Sequence, residues 1–338
     1  MPEPAISVLM SVYNGEQFLA PAIESILVQS LTDFDFLILD DGSSDSSWSI
    51  LQDYAGRDDR IRLIRRENKG LIVSLNELIA AATAPLLARM DCDDISMPDR
   101  FTRQVAFLEA NPDYGVVGSQ RVNIDEQGQE LPMAGPDYAL DHQQFLSNIG
   151  TESLLCHSSV MMRRDMVQAV GGYHAAFRHC EDFDLWLRLS NLTKLCSMPE
   201  KLVCYRHSAD QVSKRHLTEQ QIGTAVALAA YHERNAGRPD PTEALTALPP
   251  LDKLDALFGR QGMEKEVLAF VIPHLCYSKE AMQTDGLKMI GKLLQLGGNS
   301  PGLWRTVIRL VLMAEPLRAL QLFAMISTHS VRKMGRSG

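Results

Sequence analysis

The sequence predicts an α/β fold: a doubly wound sheet flanked by helices, followed by a mainly α-helical C-terminal region. The first observation is that short apolar or β-rich runs alternate with amphipathic helical patterns up to about residue 213, which indicates strands joined by helical crossovers. The second is that this alternation stops near Arg215, beyond which helical patterns follow one another. We therefore expect an α/β domain over 1–214 and a helical region over 215–338.

The predicted strands are short and strongly apolar. The first is a near-continuous apolar run, as expected of a strand that helices cover on both faces. The second leads directly into Asp40 and Asp41, and the fourth leads into Asp91. The predicted strands are 6–12, 34–39, 61–64, 86–90, 116–123, 158–163 and 201–206.

The predicted helices occupy the intervals between these strands. Apolar residues of the first helix, among them Leu19, Ile23 and Ile26, recur at helical spacing and form one stripe. The last helix of the α/β part is amphipathic and begins with two acidic residues, Glu181 and Asp182. The predicted helices are 16–30, a helix around 48–54, 71–82, 98–111, a short helix ended by Gly171–Gly172, and 181–191.

Composition and charge exclude several classes of protein. The chain has 338 residues, 45% hydrophobic and 22% charged, which is ordinary for a soluble globular protein. A net charge of −9 argues against a general nucleic-acid binder. The six cysteines form no CxxC pair, so we expect reduced thiols in the cytoplasm and neither a zinc site nor a disulfide framework. We also expect no signal peptide and no transmembrane helix, because a basic leader and a run of 18 uncharged apolar residues are absent.

Polar residues follow three of the predicted strands at the point where each strand ends. Tyr13 and Asn14 follow the first strand, Asp40 and Asp41 follow the second, and Asp91 begins a cluster after the fourth. Ligands of doubly wound sheets bind in the crevice at the carboxyl ends of the strands. This coincidence of three polar clusters on one edge predicts a ligand site there.

The cluster Asp91-Cys92-Asp93-Asp94 has two interpretations. Two nearby carboxylates on a loop are hard oxygen ligands that suit Mg²⁺ or Mn²⁺ together with the oxygens of a bound diphosphate. The alternative is a solvated loop, or caps for the helix that begins near Pro98. For Asp94 we expect a structural task.

Three further groups are candidates for the same site. Asp41 at a strand end could accept hydrogen bonds from a nucleobase or ribose, or could serve only the strand-to-helix turn. Glu181 or Asp182 could act as a general base, or could provide only the negative charge that is favourable at a helix N-terminus. Arg206 could place a cation beside a leaving diphosphate, or could belong to an ordinary basic loop.

Taken in order, these segments resemble the family-2 inverting glycosyltransferases of the GT-A fold. The segments are ISVLMSVYNGEQFLAPAIESILVQS, LILDDGSSD, ENKGLIVSLN, LLARMDCDDISMPDRFTRQ and HCEDFDLWLRL, within about residues 5–213. The resemblance implies a mixed sheet with a nucleotide-sugar half over about 1–97 and an acceptor half over about 98–214. It also implies a nucleotide-diphosphate sugar donor, a UDP-sugar by expectation, a divalent cation, Mn²⁺ or Mg²⁺, and inversion at the anomeric carbon.

The resemblance also implies roles for individual residues. Asp182 would be the catalytic base, with Glu181 contacting the acceptor. Asp93 would bind the metal, together with Asp91, which faces the ribose. His157 would lie in the acceptor-side wall. The implied nucleotide-binding residues are Tyr13, Asn14, Glu16, Asp41, Asn68, Arg89, Asp91, Arg206 and His207, the last two in a loop that closes over the diphosphate.

Departures from the family's processive members refine the expected function. The sequence lacks a Gln-x-x-Arg-Trp motif and a membrane-spanning tail, which favours transfer of a single sugar in the biosynthesis of a cell-surface polysaccharide or glycolipid. The rival interpretations are a metal-dependent nucleotidyltransferase or phosphohydrolase, and a non-catalytic module that binds nucleotide sugars. The first would release phosphate or pyrophosphate without an acceptor product, and loss of the Glu-Asp pair would have favoured the second.

The C-terminal region is basic although the whole protein is acidic. The last 38 residues carry a net charge of +5 and an apolar stretch around Trp304. Such helices can lie on an anionic membrane, so we expect a cytoplasmic protein with peripheral contact to the inner face of the membrane. The alternative is that these helices pack on their neighbours. The oligomeric state, the sugar and the acceptor stay open.

Overall fold

The computed structural model describes residues 3–132, 140–150, 155–208, 215–299 and 302–334, with side chains described up to residue 329. The chain divides into two compact units. The first unit is Met1–Ala175 with Glu181–Gln211, and the second is Ala176–Cys180 with Val212–Gly338. The first unit contains the sheet, and the second contains helices.

The sheet has eight strands among the described residues, in the order β3-β2-β1-β4-β7-β6-β8-β5. The first four strands run parallel to one another, whereas β7 is antiparallel to both β4 and β6. The sheet is therefore mixed, as the resemblance implied. The strands are β1 (Ile6–Val12), β2 (Phe34–Asp40), β3 (Ile61–Arg65), β4 (Leu86–Asp91), β5 (Ile95–Ser96), β6 (Tyr114–Ile124), β7 (Met161–Arg163) and β8 (Lys194–Arg206).

Helices cover the sheet in the first unit and make up most of the second unit. Those of the first unit are α1 (Leu19–Leu27), α2 (Ser47–Ala55), α3 (Leu71–Ala81), α4 (Arg100–Ala110), α5 (His142–Ser147), α6 (Arg164–Ala169) and α7 (Glu181–Leu189). Those of the second unit are α8 (Leu217–Asn235), α9 (Leu254–Phe258), α10 (Met263–Leu275), α11 (Lys279–Ala281), α12 (Leu287–Gln295), α13 (Leu303–Leu312) and α14 (Pro316–Met334). In the described part of the chain, no helix is long and apolar enough to cross a membrane.

Strand β1 shows why its sequence is apolar at nearly every position. Val8 and Met10 belong to a buried cluster that includes Ile23 of α1. Leu9, on the opposite face of the strand, belongs to a second cluster that includes Leu78 of α3. Successive side chains of a strand alternate between faces, so a sheet covered on both sides requires an unbroken apolar run. The interpretation of 6–12 as a two-sided strand is confirmed.

Strands β8 and β7 differ from the sequence prediction in where they begin, and the short strand β5 was not predicted. Strand β8 begins at Lys194 rather than at 201, because Pro199 and Glu200 interrupt the apolar pattern without ending the pairing with β6. That pairing instead absorbs irregularities of register at Ser119 and Gln120. The predicted strand 158–163 is shorter, since His157–Ser159 form a 3₁₀ turn and pairing begins at Met161.

Candidate active site

The carboxyl ends of β1, β2 and β4 meet at one edge of the sheet. Val12 of β1 is in register with Asp40 of β2, and Ser11 of β1 is in register with Asp91 of β4. The acidic residues that follow β2 and β4 therefore flank the end of β1. The parallel arrangement brings together clusters that are about fifty residues apart in the chain.

At the end of β2, the Asp41 carboxylate is held by protein donors. It accepts hydrogen bonds from the main-chain N–H groups of Lys69 and Gly70, both at 2.8 Å. The Arg66 guanidinium pairs with the same carboxylate, which is only 2% exposed. A carboxylate has about four acceptor positions, so about one remains for a ligand. The predicted contact of Asp41 with a nucleobase stays a prediction.

The neighbouring Asp40 is fully buried and differs from Asp41. Its Oδ1 accepts a hydrogen bond from the main-chain N–H of Ser43 at 3.2 Å. Its Oδ2 lies 3.1 Å from Nε of Arg65 as an ion pair, without a hydrogen bond among the described residues. Asp40 therefore neutralises an arginine at the sheet edge and fixes the start of the turn.

Hydrogen bonds join the loop after β1 to the loop after β2. They involve side chains for which the family resemblance implies donor binding. Asn14 has a left-handed backbone, with φ of 51°, and its Oδ1 accepts a hydrogen bond from the N–H of Ser44 at 2.8 Å. Glu16 accepts a hydrogen bond from the N–H of Ser46 at 2.8 Å. Asn14 and Glu16 therefore hold two loops together, and their contact with a nucleotide stays a prediction.

Tyr13 and Asn68 lie at the open side of these loops. Tyr13 is 54% exposed, so its ring is available for stacking with a planar ligand. The main chain of Asn68 packs against Gly42, whose φ is +77° and whose Cβ, if present, would lie 2.8 Å from the Asn68 nitrogen. Only glycine fits this position without movement.

At the end of β4, Arg89, Asp91 and Ser158 form a hydrogen-bonded group. The Asp91 carboxylate pairs with the buried Arg89 guanidinium and accepts a hydrogen bond from the Ser158 hydroxyl at 2.6 Å. Arg89 also donates to the Ser158 oxygen at 3.1 Å. Burial by itself raises the pKa of Asp91, but the Arg89 charge and the Ser158 hydroxyl bring its pKa below the usual value. Asp91 is therefore an ionised, oriented carboxylate.

Asp93 and Asp94 carry charge that the surrounding protein compensates less well. Burial and the Asp91 charge raise the pKa of Asp93 to about 6 and raise that of Asp94 well above its usual value. Asp94 Oδ1 accepts a hydrogen bond from the main-chain N–H of Arg206 at 2.8 Å, whereas its buried Oδ2 has no partner among the described residues. Carboxylate oxygens of the three aspartates lie within 4.8 Å of one another. Such a donor set fits a hard divalent cation, which would relieve their repulsion.

Glu181 and Asp182 begin α7 and lie in the same electrostatic environment. Burial and the neighbouring Asp182 charge raise the pKa of Glu181 to about 7. Burial also raises the pKa of Asp182, although its carboxylate accepts a hydrogen bond from the N–H of Phe183 at 2.7 Å. Arg89 and Asp91 act on both groups. The acidic pair of α7 and the acidic cluster of β4 therefore share one site.

His157 and Tyr173 form one wall of this site. His157 Nε2 and the Tyr173 hydroxyl lie 2.7 Å apart, and burial beside Arg89 holds the pKa of His157 well below its usual value. Asn76 of α3 fixes the main chain of Tyr173 by donating to its carbonyl and accepting from its N–H, both at 2.8 Å. A Cβ at Gly172 would lie 2.5 Å from the Asn76 oxygen, so this clamp requires glycine.

Arg206 is buried and bound to main-chain carbonyl groups. Its Nε donates to the carbonyl of Asp93 at 2.8 Å and one terminal nitrogen donates to that of Asp125 at 2.9 Å, while the guanidinium lies over the Phe18 ring. His207 follows at the end of β8, and its N–H donates to the carbonyl of Ile124 at 2.8 Å. Arg206 therefore anchors the Asp93 loop, and the role of Arg206 and His207 toward a diphosphate stays a prediction, since 209–214 lie outside the described residues.

Comparisons with known proteins show the family to which the chain belongs. The model of glycosyl transferase family 2 matches residues 7–171. The chain is 37% identical over 220 residues to the putative glycosyltransferase EpsE of Bacillus subtilis, covering 64% of this chain and 77% of that protein. The chain belongs to glycosyl transferase family 2. This glycosyltransferase is also 31% identical over 213 residues to the amylovoran biosynthesis glycosyltransferase AmsE of Erwinia amylovora, covering 62% of this chain and 79% of that protein.

Solved structures confirm the GT-A fold of the glycosyltransferase. The crystal structure of S. aureus TarS 1-349 in complex with UDP-GlcNAc matches with a TM-score of 0.57 and 16% identity, over 98% of this chain and 92% of that chain. The mannosyltransferase PcManGT from Pyrobaculum calidifontis, in complex with GDP-Man and Mn²⁺, matches with a TM-score of 0.51 and 14% identity, over 97% and 87%. At these identities the likeness concerns the fold.

Sequence reasoning missed two residues of the candidate site. Ser158 binds Asp91 across 67 positions of the chain, and Tyr173 reaches His157 only because Asn76 holds its main chain. Neither residue lies in a charged motif. The clearest signal in the sequence is Gly171-Gly172 before Tyr173, which by itself indicates only the end of a short helix.

Proposed function

We propose that the protein is an inverting glycosyltransferase that moves a single sugar from a UDP-sugar to an acceptor hydroxyl in cell-surface polysaccharide or glycolipid biosynthesis. The observation that carries the proposal is the joint environment of two acidic groups: the cation-fitting cluster Asp91, Asp93 and Asp94, and the pair Glu181–Asp182 at the start of α7. Family membership and the polysaccharide-related name of AmsE support it.

The proposal divides the chain by task. The α/β part, 1–214, binds the donor through about 1–97 and the acceptor through about 98–214, and the helical region follows from 215. On the donor side, the exposed Tyr13 ring stacks on the base and the remaining acceptor position of Asp41 receives a base hydrogen. Asp91, ionised and aligned by Arg89 and Ser158, accepts a ribose hydroxyl hydrogen.

Asp93 and Asp91 would hold Mn²⁺ or Mg²⁺, which when bound supplies Lewis-acid stabilisation of the charge that develops on the departing diphosphate. Without that ion, burial and repulsion from Asp91 raise the pKa values of Asp93 and Asp94. Arg206 keeps the Asp93 loop in place through its bond to the Asp93 carbonyl. The chain itself thus contributes carboxylates that would hold the ion and an arginine that keeps their loop in place.

Asp182 acts as the general base. It takes the proton of the acceptor hydroxyl while the hydroxyl oxygen forms a bond to the anomeric carbon and the bond from that carbon to the diphosphate breaks. Attack on the face opposite the diphosphate inverts the configuration. Burial raises the pKa of Asp182, which makes its carboxylate a stronger base than an exposed aspartate. Glu181 beside it orients the acceptor by hydrogen bonding.

The decisive experiment is Asp182→Asn. We expect kcat to fall by about 10²–10⁴-fold, while the Kd of the UDP-sugar in the presence of Mn²⁺ changes less than about threefold, because the amide keeps the shape and loses only the basic oxygen. Asp184→Asn is the matched control, since Asp184 lies in the same helix and pairs with Arg188. Near-normal transfer by Asp182→Asn would eliminate the base assignment.

The acceptor side of the proposal includes contact with a membrane surface. Large apolar side chains of α13 and α14 are exposed, with Leu312 at 82%, Leu317 at 75% and Leu320 at 66%. Trp304 and Phe323 belong to the same face, with ring centroids 5.5 Å apart. Exposed apolar faces of this kind are found on helices that lie in a membrane interface, where a lipid-linked acceptor is presented.

The basic charge expected in this region is less available than the sequence suggested. Arg309 donates to the Cys276 carbonyl at 3.0 Å and stacks on Tyr277. Arg318 donates to the carbonyls of Met282 and Gln283. These two arginines connect helices within the second unit. The apolar side chains are therefore the main source of membrane affinity in the proposal.

Flotation with liposomes tests this contact. Leu312→Glu combined with Leu317→Glu should reduce the bound fraction at least fivefold, because both side chains are exposed and charging them opposes insertion without disturbing the core. Val28→Glu in the first unit, at a position that is 64% exposed, is the control. Equal flotation of the double variant and wild type would remove the membrane from the proposal.

A further inference from the structure

The second unit contains a cluster of three potential metal ligands that the glycosyl transfer described above does not use. The ligands are His179, His216 and Glu219, whose nitrogen and oxygen atoms lie within 4.8 Å of one another. Glu219 Oε2 is 3.5 Å from Nε2 of His179 and 3.7 Å from Nδ1 of His216. In a tetrahedral zinc site, ligand atoms at about 2.0–2.1 Å from the ion are themselves about 3.4 Å apart. The spacing is therefore close to that of a bound ion.

His179 is held in an unusual conformation at this cluster. Its φ is +67°, a left-handed value that costs a non-glycine residue about 1 kcal/mol or more. Gln220, the residue after Glu219 in α8, donates a hydrogen bond from Nε2 to the carbonyl oxygen of His179 at 2.9 Å. Helix α8 thus supplies both the side chain that faces the His179 ring and the side chain that fixes its main chain.

One nitrogen of the His179 ring is buried without a hydrogen bond to compensate it among the described residues. The atom is Nε2, and leaving such an atom unpaired costs about 1–3 kcal/mol. This nitrogen lies 3.5 Å from the Glu219 carboxylate, and an imidazole nitrogen without a hydrogen-bond partner can bind a metal ion.

We propose that His179, His216 and Glu219 form a second metal site that binds Zn²⁺, separate from the aspartate cluster. Imidazole and carboxylate ligands suit zinc and other late first-row ions, whereas three carboxylates suit Mg²⁺ or Mn²⁺. The two rings are stacked at 4.0 Å with an angle of 12° between them. The half-exposed His216 side chain turns on binding to direct its nitrogen at the ion, and water completes the coordination.

The site has a structural consequence for the transferase. His179 precedes Glu181 by two residues and Asp182 by three. A bound ion would connect His179 to His216 and Glu219 at the start of α8 and would hold the strained main chain at His179. The absence of CxxC pairs argues against zinc at the level of sequence, but it excludes only cysteine sites. The two histidines are 37 positions apart in the chain (179 to 216), so no local sequence motif indicates this site.

Metal titration of the full chain tests the proposal. Protein freed of metal with a chelator is titrated with Co²⁺, a spectroscopic substitute for Zn²⁺, and then with Zn²⁺ in competition. We expect one equivalent of Co²⁺ with visible absorption bands, displaced by Zn²⁺. His216→Ala and Glu219→Gln should weaken binding at least tenfold, and because both side chains are exposed, their metal-free melting temperatures should match wild type.

Two controls separate the alternatives. His232→Ala removes an exposed histidine from the same helix and should leave the titration unchanged. Asp93→Asn damages the aspartate cluster and should also retain the Co²⁺ bands, whatever its effect on transfer. Bands that survive in His216→Ala, or that disappear only in Asp93→Asn, would overturn the proposal. Absence of binding to wild type would overturn it as well, and would leave the stacked histidines as a packing contact.

Discussion

The ends of two parallel strands, β2 and β4, carry similar acidic sequences and differ in how their charge is balanced. After β2, Asp40 and Asp41 each form an ion pair with an arginine, and both are almost completely buried. After β4, Asp91 pairs with Arg89. In the described part of the chain, neither Asp93 nor Asp94 forms an ion pair with a side chain.

This difference distinguishes a structural junction from a candidate binding site. Carboxylates that have their own cations and main-chain donors stabilise the loop in which they lie. Carboxylates that repel one another keep raised pKa values, as Asp93 and Asp94 do, and they persist in a fold when a ligand compensates them. The charges at the β2 end are therefore balanced within the protein, whereas the donor set at the β4 end fits a divalent cation.

The largest expected effect concerns the uncompensated cluster. Asp93→Asn should lower kcat/KM by on the order of 10³-fold, because an amide oxygen binds a divalent cation weakly and several kcal/mol of transition-state stabilisation depend on that ion. Donor binding that depends on Mn²⁺ should be lost as well. Isothermal titration with a UDP-sugar, with and without Mn²⁺, measures the donor-binding component, and initial rates of transfer measure kcat/KM.

The result distinguishes Asp93 from its neighbour. Compared with Asp93→Asn, Asp94→Asn should lower the kcat of transfer less and should lower the stability of the fold more. The reason is that Asp94 Oδ1 accepts a hydrogen bond from the main-chain N–H of Arg206. If Asp93→Asn binds donor with an unchanged Mn²⁺ dependence, the cluster is only a structural junction and the contrast with β2 disappears.

A smaller effect is expected at the compensated end. Asp41→Asn should reduce the free energy of unfolding by about 2–4 kcal/mol, since it leaves the largely buried Arg66 without that ion pair and weakens the acceptors for Lys69 and Gly70. Urea denaturation measures the change. Glu77→Gln is a matched control, because Glu77 pairs with the same arginine at 2.8 Å but is 38% exposed, so its loss should cost less than about 1 kcal/mol.

The contrast between the two strand ends was not visible in the sequence. Both Asp40-Asp41 and Asp91-Cys92-Asp93-Asp94 follow an apolar run, and strand periodicity places both at the same edge of the sheet. Arg65 and Arg66 lie at the end of β3, and their pairing with Asp40 and Asp41 depends on strand register. Tertiary structure therefore decides which acidic cluster has arginine side chains beside it.

Local pattern predicted the strands best where helices cover both faces, as in β1 and β4. It failed where tertiary pairing overrides composition, as in β8, which continues through Pro199 and Glu200 because β6 supplies a partner. The same limit applies to the site. Charged motifs led to the predictions for Asp91 and Asp182, whose roles stay predictions, whereas Ser158 and Tyr173 are ordinary residues that contacts across the fold bring to the candidate site.

The smallest expected effect is the pH dependence of stability in metal-free protein. The folded-state pKa of Asp93 is raised from 3.8 to about 6, so the folded state holds a proton that the unfolded state loses at lower pH. The stability associated with this proton is fully present below pH 3.8 and is lost as pH rises to about 6. The expected loss is at most about 3 kcal/mol, because each pKa unit corresponds to about 1.4 kcal/mol and Asp93 titrates together with its acidic neighbours.

Other groups near Asp93 also titrate, so its contribution must be measured as the difference in stability between wild type and Asp93→Asn. The lowered pKa of His157 acts in the opposite direction, because its folded form binds a proton less readily than the unfolded chain. Melting temperatures of wild type and Asp93→Asn should therefore be compared between pH 4.5 and 7.5, where His157 contributes equally to both. We expect Asp93→Asn to become the more stable protein as pH rises, and Mn²⁺ to restore wild type at pH 7.5. A constant difference across this range would mean that Asp93 is already compensated within the fold, as Asp41 is.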